Sequence, residues 1–227
     1  MILGVIPARL NSTRFPSKVI FPLKGKPIIE HVYDKALQSD LLSKVIVAVD
    51  SEETKNVINC QNIIMTSDKH QSGTDRVAEV ANNFNCDIVV NIQGDEPGID
   101  PLLIDKLIQL FEDPDVEMAS IASTDLKEDD LNNDNVVKVN LDKENNAISF
   151  IRNNLNPEST YYRHIGIYAY RKNTLNLFTS LTQSDNEKNH RLEQLRALDN
   201  NIAIKLLISD FNHRSIDVKE DLKNYEN

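Results

Sequence analysis

Three cationic side chains, Arg9, Arg14 and Lys18, lie close together directly after an apolar run near the amino terminus. The run is typical of a buried strand, and in an open parallel sheet ligands bind outside the carboxyl ends of the strands. Cations at that place can bind phosphate groups through charge-assisted hydrogen bonds. A solvated basic turn fits the same residues equally well, because neither a GxxxxGK phosphate loop nor a GxGxxG fingerprint occurs in the chain. The segment is a candidate anion site.

Carboxylates follow a second apolar run. The run Ile88–Ile92 ends abruptly in the sequence QGDEP, which places Asp95 at the end of an expected strand. Mg²⁺ usually takes one or two protein carboxylates and completes its shell with water and substrate phosphates, so a strand-end aspartate near a phosphate loop suits it. The alternative is an aspartate that caps the following turn, since Asp and Pro are ordinary turn residues. Asp95 is therefore the candidate metal ligand.

A third polar group, HQSGTDR, lies where a helix is expected to begin. Helix starts bind anions and polar edges through their free N–H groups. Gly73 and Arg76 are the better candidate ligands in this group. Asp75 is expected to have a local capping role, and Ser72 or Thr74 could equally be a plain N-cap.

The elements that must position these residues are short β-branched runs separated by helical patterns. The runs Ile2–Ile6, Val45–Val49 and Ile88–Ile92 alternate with segments whose apolar residues recur at helical spacing. This βαβ rhythm predicts a parallel sheet. The expected crossover helices begin at Pro27, Thr74 and Pro101 and end near Leu37, Phe84 and Phe111.

The pattern changes after Met118 to strands joined by acidic or asparagine-rich turns. The polar segment Lys127–Asn135 is expected to be an exposed loop, and Arg191–Leu198 a last helix. The expected strands are Met118–Ser123, Val136–Leu141, Ala147–Ile151, His164–Tyr170 and Ile202–Ile208. We therefore expect one domain over residues 1–227, an α/β fold with a mostly parallel central sheet, helices on both of its faces and a smaller mixed-sheet extension.

Composition excludes several classes of function. Lysine and arginine sum to 25 and aspartate and glutamate to 35, so the formal net charge of −10 argues against a nucleic-acid or anionic-membrane surface. No apolar stretch approaches the ~20 residues of a membrane span, which predicts a cytoplasmic protein. Cys60 and Cys86 lack a second cysteine at metal-ligand spacing, which argues against a zinc site or a disulfide framework.

Five motifs in a fixed order carry a resemblance to a known family. They read PARxxSTRxPxK, HQSGTDR, NIQGDEP, RHIGIYAYR and LEQLRAL, and the similarity covers nearly the whole chain. The sequence resembles the 3-deoxy-manno-octulosonate (Kdo) cytidylyltransferases. The resemblance implies a Rossmann-like nucleotidyltransferase fold, a homodimer, and attack of the sugar's anomeric hydroxyl on the α-phosphate of CTP with Mg²⁺. The product would be an activated sugar for lipopolysaccharide synthesis.

Carried over position by position, the resemblance also implies functional residues. Arg9, Arg14 and Lys18 would hold the triphosphate, and Asp95 and Asp217 would bind the metal. Arg14 and Lys18 would form the catalytic set together with these two aspartates. The nucleotide pocket would be lined by Ala8, Arg9, Arg14, Lys18, Gln71, Ser72, Gly73 and Arg76 and would read cytosine. The acidic sugar would be bound by Gln93, Arg152, His164, Glu193 and Gln194.

The carboxyl half departs from the family pattern at two places. The pattern Ser-Arg-Ala, followed by Ile-Pro and a sizeable insertion, is shortened here to IRNNLNP from Ile151, which leads almost directly to YYRH ending at His164. In relatives that insertion contributes to dimer contacts. Near the end, Asp-Thr-Pro-Glu-Asp reads DVKED from Asp217, which keeps the first carboxylate and loses the threonine and the proline.

Several readings of function stay open. The acidic sugar is expected to be Kdo or its 8-amino analogue, and the nearest alternative is an acylneuraminate-type or other sugar nucleotidyltransferase. A glycosyltransferase or a non-catalytic nucleotide-binding protein is the alternative from a different class, although the presence of both Asp95 and Asp217 favours catalysis. These two aspartates each follow an expected strand and are expected to converge on one magnesium site. As cations of an exposed loop, Arg14 and Lys18 are expected to contribute little to folding.

Overall fold

The computed structural model describes residues 1–10, 15–212 and 215–225. They group into two compact units, one formed by residues 1–105 with the described residues after 213, the other by the described residues from 106 to 213. The strands are β1 (Ile2–Ala8), β2 (Pro22–Leu23), β3 (Lys26–Pro27), β4 (Lys44–Val49), β5 (Ile63–Met65), β6 (Ile88–Asn91), β7 (Met118–Ser123), β8 (Lys138–Leu141), β9 (Ala147–Ile151), β10 (Tyr162–Arg171) and β11 (Lys205–Ser209). The helices are α1 (Ile28–Ala36), α2 (Glu52–Val57), α3 (Gly73–Asn82), α4 (Pro101–Gln109), α5 (Glu128–Leu131), α6 (Lys172–Ser180), α7 (Asp185–His190) and α8 (Leu195–Asp199), with 3-10 segments at Lys18–Ile20, Leu110–Glu112 and Lys219–Tyr225.

The first unit contains a parallel sheet with the strand order β6-β1-β4-β5. β1 is central, and Leu3, Val5 and Ile6 are fully buried within it. Parallel strands that are covered on both faces read as near-continuous apolar runs, which is the pattern of the sequence. Because β1, β4 and β6 are parallel, the loops that follow them begin at the same edge of the sheet. A separate small antiparallel pair is formed by β2 and β3.

Amphipathic helices pack around this sheet. The expected helices from Pro27, Thr74 and Pro101 correspond to α1, α3 and α4, and each ends within two residues of its predicted end. The apolar face of α1 buries Ile28, Ile29, Val32, Tyr33 and Ala36. None of the described helices has the length and hydropathy that a membrane span requires.

The second unit contains the mixed sheet. β7 pairs in parallel with β11 and antiparallel with β10, while β8 pairs antiparallel with both β10 and β9. β7 and β9 have the bounds that the sequence predicts, and β10 begins two residues earlier. The predicted fold class, an α/β protein with a parallel central sheet and a further mixed sheet, is confirmed.

Two local predictions in the second unit are wrong. The expected helix Arg191–Leu198 begins only at Leu195, as α8, because Arg191 adopts a left-handed conformation with φ of 53° that ends α7 and a turn follows it. The expected loop Lys127–Asn135 contains the short helix α5, whose start is stabilised by a hydrogen bond from the Lys127 N–H to the Asp130 carboxylate. A local polar side chain thus binds a backbone N–H group in a segment that composition alone indicated to be an open loop.

Candidate active site

Lys18 brings two carboxylates from remote parts of the chain together. Its Nζ lies 2.6 Å from Asp95 Oδ2 and 3.8 Å from Asp217 Oδ1. The two carboxylate oxygens are therefore no farther apart than the sum of those distances. We call these three residues the aspartate cluster. Lys18 is 8% exposed, so it is a buried cation, and the expectation that it belongs to an exposed loop is wrong. The 3-10 segment that begins at Lys18 follows Ser17 in a left-handed conformation and turns the lysine inward.

Asp95 is positioned by the end of β6 and by a close backbone approach. A Cβ atom at Gly94 would lie 3.1 Å from the carbonyl oxygen of Pro7, so glycine lets this loop pack against the end of β1. The carbonyl oxygen of Asp95 accepts a hydrogen bond of 2.9 Å from the Ile216 N–H. The loop after β6 is thereby joined to the carboxyl-terminal segment that carries Asp217.

An apolar cluster docks that carboxyl-terminal segment onto the first unit. Ile216 is fully buried, immediately before Asp217. Burial of such a side chain stabilises by roughly 1.5–3 kcal/mol, which is enough to hold a short segment in place. The cluster consists of Phe15, Leu23, Ile28 and Ile216, with Phe21, Leu222 and Tyr225 packed against it.

Glu96 is a further carboxyl group of this site, to which the sequence analysis assigned no role. It is 4% exposed, and burial, followed by the charges of Asp95 and Asp217, raises its pKa well above the ordinary value. Lys18 acts in the opposite direction. A carboxyl group that titrates above its usual range favours its neutral form at neutral pH.

The aspartate cluster fits a divalent cation by its donor chemistry. Carboxylate oxygens are the hard ligands that Mg²⁺ prefers, and one or two of them suffice when a nucleotide supplies phosphate oxygens. Within the described residues, no group of three or more His, Cys, Asp or Glu side chains forms a closed metal site. Asp95 and Asp217 are the residues that would hold the ion.

The loop after β1 lies against the HQSGTDR segment. Ala8 is fully buried at the end of β1, and Arg9 is exposed, with its guanidinium 3.4 Å from the Gln71 carbonyl oxygen. The backbone N–H of Leu10 donates to Asp50 Oδ1 over 3.2 Å. Arg14, the other predicted phosphate ligand of this loop, lies outside the described residues.

The start of α3 is a capping box. Ser72 Oγ accepts from the Asp75 N–H and the Asp75 carboxylate accepts from the Ser72 N–H, both at 3.1 Å. The local role expected for Asp75 is therefore present, and Ser72 is the N-cap. A Cβ at Gly73 would lie 3.4 Å from the Pro7 side chain, so this helix start packs against the end of β1.

Arg76, a candidate ligand at the start of α3, lies inside the protein. It is fully buried, and its guanidinium donates to Thr66 Oγ1 and, over 3.2 Å, to Asp50 Oδ2. Burial lowers its pKa although Asp50 opposes the shift. The structure thus shows Arg76 as an internal link between α3 and the end of β4, and its role as a nucleotide ligand stays a prediction.

In the second unit, His164 begins an aromatic row along β10. His164 Nε2 lies 3.0 Å from Ser120 Oγ, and the imidazole lies edge-on to Phe150 at 4.9 Å and 5.5 Å from the Tyr168 ring. Burial, followed by the charge of Glu193, raises the pKa of Tyr168 well above its ordinary value. The motif RHIGIYAYR contained this tyrosine at the same strand face as His164, but the sequence analysis did not single it out. The aromatic row consists of Phe150, His164, Tyr168, Tyr170 and Phe178.

Glu193 and Gln194 lie in the turn between α7 and α8. Gln194 is 7% exposed, and Glu193 Oε1 lies 3.7 Å from Arg196. Arg196 is buried and donates to both carboxylate oxygens of Glu187 at 2.6 and 2.8 Å. A bidentate arginine–carboxylate pair gives a rigid geometry. The turn that carries Glu193 and Gln194 is therefore anchored on a fixed pair.

Arg152 follows β9, and a buried lysine holds its backbone. The carbonyl oxygen of Arg152 accepts a hydrogen bond from Lys138 Nζ, and Lys138 is fully buried. The Arg152 guanidinium donates to the Asp134 carbonyl oxygen over 2.8 Å. Gln93 belongs to the first unit, between β6 and Asp95, and is half-buried. The proposed sugar ligands are thus divided between the two units.

Comparison with known proteins gives concordant matches. A family model described as cytidylyltransferase matches residues 3–206. The 3-deoxy-manno-octulosonate cytidylyltransferase of Trichlorobacter lovleyi is 38% identical over 240 residues, covering 97% of this chain and 95% of the relative. The protein of the same name from Thermodesulfovibrio yellowstonii is 40% identical over 240 residues, which cover 96% of this chain and 94% of the relative. The solved structure of CMP:2-keto-3-deoxy-manno-octonic acid synthetase complexed with CTP has a TM-score of 0.92 at 33% identity and covers 98% of this chain and 95% of its own.

Proposed function

The chain belongs to the 3-deoxy-manno-octulosonate cytidylyltransferase family, and from that premise we propose that it transfers CMP from CTP to the anomeric hydroxyl of Kdo, or of a close analogue such as 8-amino-Kdo, and releases pyrophosphate. The chain is thus a CTP-dependent sugar nucleotidyltransferase. The observation that carries the proposal is the aspartate cluster, in which Lys18, Asp95 and Asp217 converge from three distant parts of the chain.

The proposed role of the first unit is to bind and orient the triphosphate. Lys18 and Arg9 supply cations at the edge where β1 ends, and charge-assisted hydrogen bonds to phosphate are among the stronger ones in proteins. Asp95 and Asp217 would hold Mg²⁺, which would neutralise charge on the phosphates. In the reaction, the anomeric oxygen forms a bond to the α-phosphorus while the bond to the pyrophosphate oxygen breaks. Positioning and charge account for most of the catalysis in such a transfer, and no covalent protein intermediate is required.

The proposed nucleotide pocket lies where β1 ends and α3 begins. Gly73 packs against Pro7, and Arg9 reaches the Gln71 carbonyl oxygen, so both loops that would line the base are held close together. A narrow space between these loops would suit a pyrimidine and disfavour purines. We therefore propose that CTP is the preferred donor, with ATP and GTP as poor ones.

The proposed role of the second unit is to bind the acidic sugar. His164 and Tyr168 present polar atoms from a rigid aromatic row, and Glu193 and Gln194 do so from a turn anchored on the Arg196–Glu187 pair. A guanidinium such as that of Arg152 is suited to a sugar carboxylate. Action as a cytoplasmic homodimer in lipopolysaccharide synthesis belongs to the same proposal.

The test is a direct assay of the purified protein. It is incubated with Mg²⁺, one of CTP, ATP or GTP, and one of a panel of acidic sugars that includes Kdo, 8-amino-Kdo and an acylneuraminate. Pyrophosphate release is measured, and the nucleotide sugar is identified by mass. We expect CMP-Kdo or the CMP derivative of its analogue from CTP. Absence of turnover with every sugar would overturn the proposal in favour of a nucleotide-binding role.

A further inference from the structure

Asp221 makes two hydrogen bonds that bear directly on the aspartate cluster. Its Oδ2 accepts from the backbone N–H of Asp217 over 2.7 Å and from the N–H of Val218 over 2.9 Å. The backbone N–H of Asp221 in turn donates to the Val218 carbonyl oxygen over 3.1 Å. The three bonds close a tight turn between Asp217 and the 3-10 segment Lys219–Tyr225.

This turn determines where the Asp217 side chain points. The direction of a side chain follows from the backbone dihedral angles of its residue, and hydrogen bonds to two successive N–H groups restrict those angles. Neither Val218 nor Lys219 restricts its own φ as a proline does. The bonds to Asp221 are therefore the local restraint on the direction in which the Asp217 carboxylate leaves the chain.

Contacts on both sides of the turn leave little other freedom. On the amino-terminal side, Ile216 is fully buried and its N–H is bonded to the Asp95 carbonyl oxygen. On the carboxyl-terminal side, Leu222 and Tyr225 pack against the apolar cluster. The segment is fixed at its two ends by burial, and between those ends the two bonds to the Asp221 carboxylate restrain the backbone at Asp217.

We propose that Asp221 is a positioning residue that directs the Asp217 carboxylate towards Lys18 and Asp95 and thereby completes the pair that holds the divalent cation. The inference rests on the proposed function of the aspartate cluster. Residues that orient a metal ligand typically change metal affinity or activity by about 10- to 100-fold when they are replaced. Asp221 itself touches neither the reacting atoms nor Lys18 in this role.

The experiment compares Asp221→Ala and Asp221→Asn with wild type and with the matched control Glu220→Ala, which removes an exposed carboxylate from the same segment. Binding of Mn²⁺ to the protein with CTP and without sugar is followed by electron paramagnetic resonance. The Mg²⁺ concentration that gives half the maximal rate is measured separately. Hydrogen exchange at the amides of Asp217 and Val218 reports on the turn itself, and circular dichroism reports on the fold.

For Asp221→Ala we expect faster exchange at both amides, Mn²⁺ affinity lower by about 10- to 100-fold, and a similar rise in the Mg²⁺ requirement. Asp221→Asn should be intermediate, because its amide oxygen still accepts hydrogen bonds, and Glu220→Ala should match wild type. If Asp221→Ala binds Mn²⁺ as wild type does, the proposal is overturned. Should that variant fail to fold, faster exchange at the two amides together with unchanged Mn²⁺ affinity in Asp221→Asn would overturn it equally.

Failure of this inference can be distinguished from failure of the proposed function. If wild type makes no nucleotide sugar, the proposed function fails, while the Mn²⁺ affinity of Asp221→Ala, compared with that of wild type and of Asp217→Asn, still tests the role of Asp221. If wild type is active and Asp217→Asn is not, normal metal dependence in Asp221→Ala removes only the positioning role.

Discussion

The aspartate cluster in the first unit and the aromatic row in the second are built from different kinds of contact. The aspartate cluster joins Lys18, Asp95 and Asp217, which are far apart in the chain, through charge. His164 and Tyr168 in the aromatic row come from the same strand and are held by ring contacts. The geometry of the first site thus depends on tertiary docking and ionised groups, whereas that of the second depends on one strand and its packing. Substitutions that remove charge but keep shape should separate the two sites.

The largest effect is expected for Asp95→Asn and for Asp217→Asn. Each change keeps the size of the side chain and removes a hard anionic ligand, so kcat should fall by about 100- to 1,000-fold, as for the loss of one strong electrostatic contact to the transition state. The fold and metal-free binding of CTP should persist. Rates, calorimetric CTP binding and thermal melting are compared with Asp115→Asn, an exposed control. Turnover at the wild-type rate in either variant would contradict the role of the pair.

A smaller effect is expected for Lys18→Met, which keeps most of the apolar stem. Loss of one charge-assisted contact of about 1.5–3 kcal/mol corresponds to a rate lower by roughly 10- to 100-fold. Because Lys18 is buried between two carboxylates, the melting temperature should fall as well. Lys24→Met, at an exposed position, is the control. An unchanged rate and an unchanged melting temperature would show that the ion pairs of Lys18 contribute neither to catalysis nor to stability.

For a substitution in the aromatic row we expect a change in KM for the sugar and none in KM for CTP. Tyr168→Phe keeps the ring contacts and removes a buried hydroxyl, so KM for the sugar should rise by about 2- to 10-fold, the value of one hydrogen bond, while KM for CTP stays the same. Tyr162→Phe, on the same strand β10, is the control. Initial rates over a range of sugar concentrations decide the question. A higher KM for CTP with an unchanged KM for sugar would reverse the assignment of the two sites.

The smallest effect is expected at Glu79, which supports the segment before α3 through bonds to Ser67 and His70. Burial acts to raise the pKa of Glu79, but hydrogen bonds from His70 and from the Ser67 N–H outweigh it and lower the pKa below 4.5. A carboxyl group with a lowered folded-state pKa contributes stability above its unfolded pKa and loses that contribution as pH falls through the folded pKa. The stability difference between wild type and Glu79→Gln should therefore shrink when chemical unfolding is repeated at about pH 3 instead of about pH 7. A difference that does not change with pH would contradict this.

The sequence predicted the strands and helices around the sheet because their apolar residues recur with clear periods. Val45–Val49 and Ile28–Leu37 are examples, and both agree with β4 and α1 within one residue. The end of α7 at Arg191 was not predictable, since a left-handed arginine depends on local context. Short elements such as β5 and α2 carry too few apolar positions to show a period.

Candidate site residues could be predicted as members of motifs, but their burial could not. Lys18 was expected in an exposed loop and Arg76 as a ligand at a helix start, and both are buried in ion pairs with aspartates. Their partners come from distant segments, so no local pattern indicates the pairing. Asp221 was within the recognised terminal motif, yet its two bonds to the backbone depend on a turn that only the structure shows.

The most direct test of the account is the position of a divalent cation in a crystal of the protein with CTP. Mn²⁺ is used in place of Mg²⁺, and its place is identified by anomalous scattering. The account predicts a peak in direct contact with the carboxylates of Asp95 and Asp217 and with a phosphate of the nucleotide, close to Lys18. A peak that contacts neither aspartate, with CTP fully bound, would contradict it.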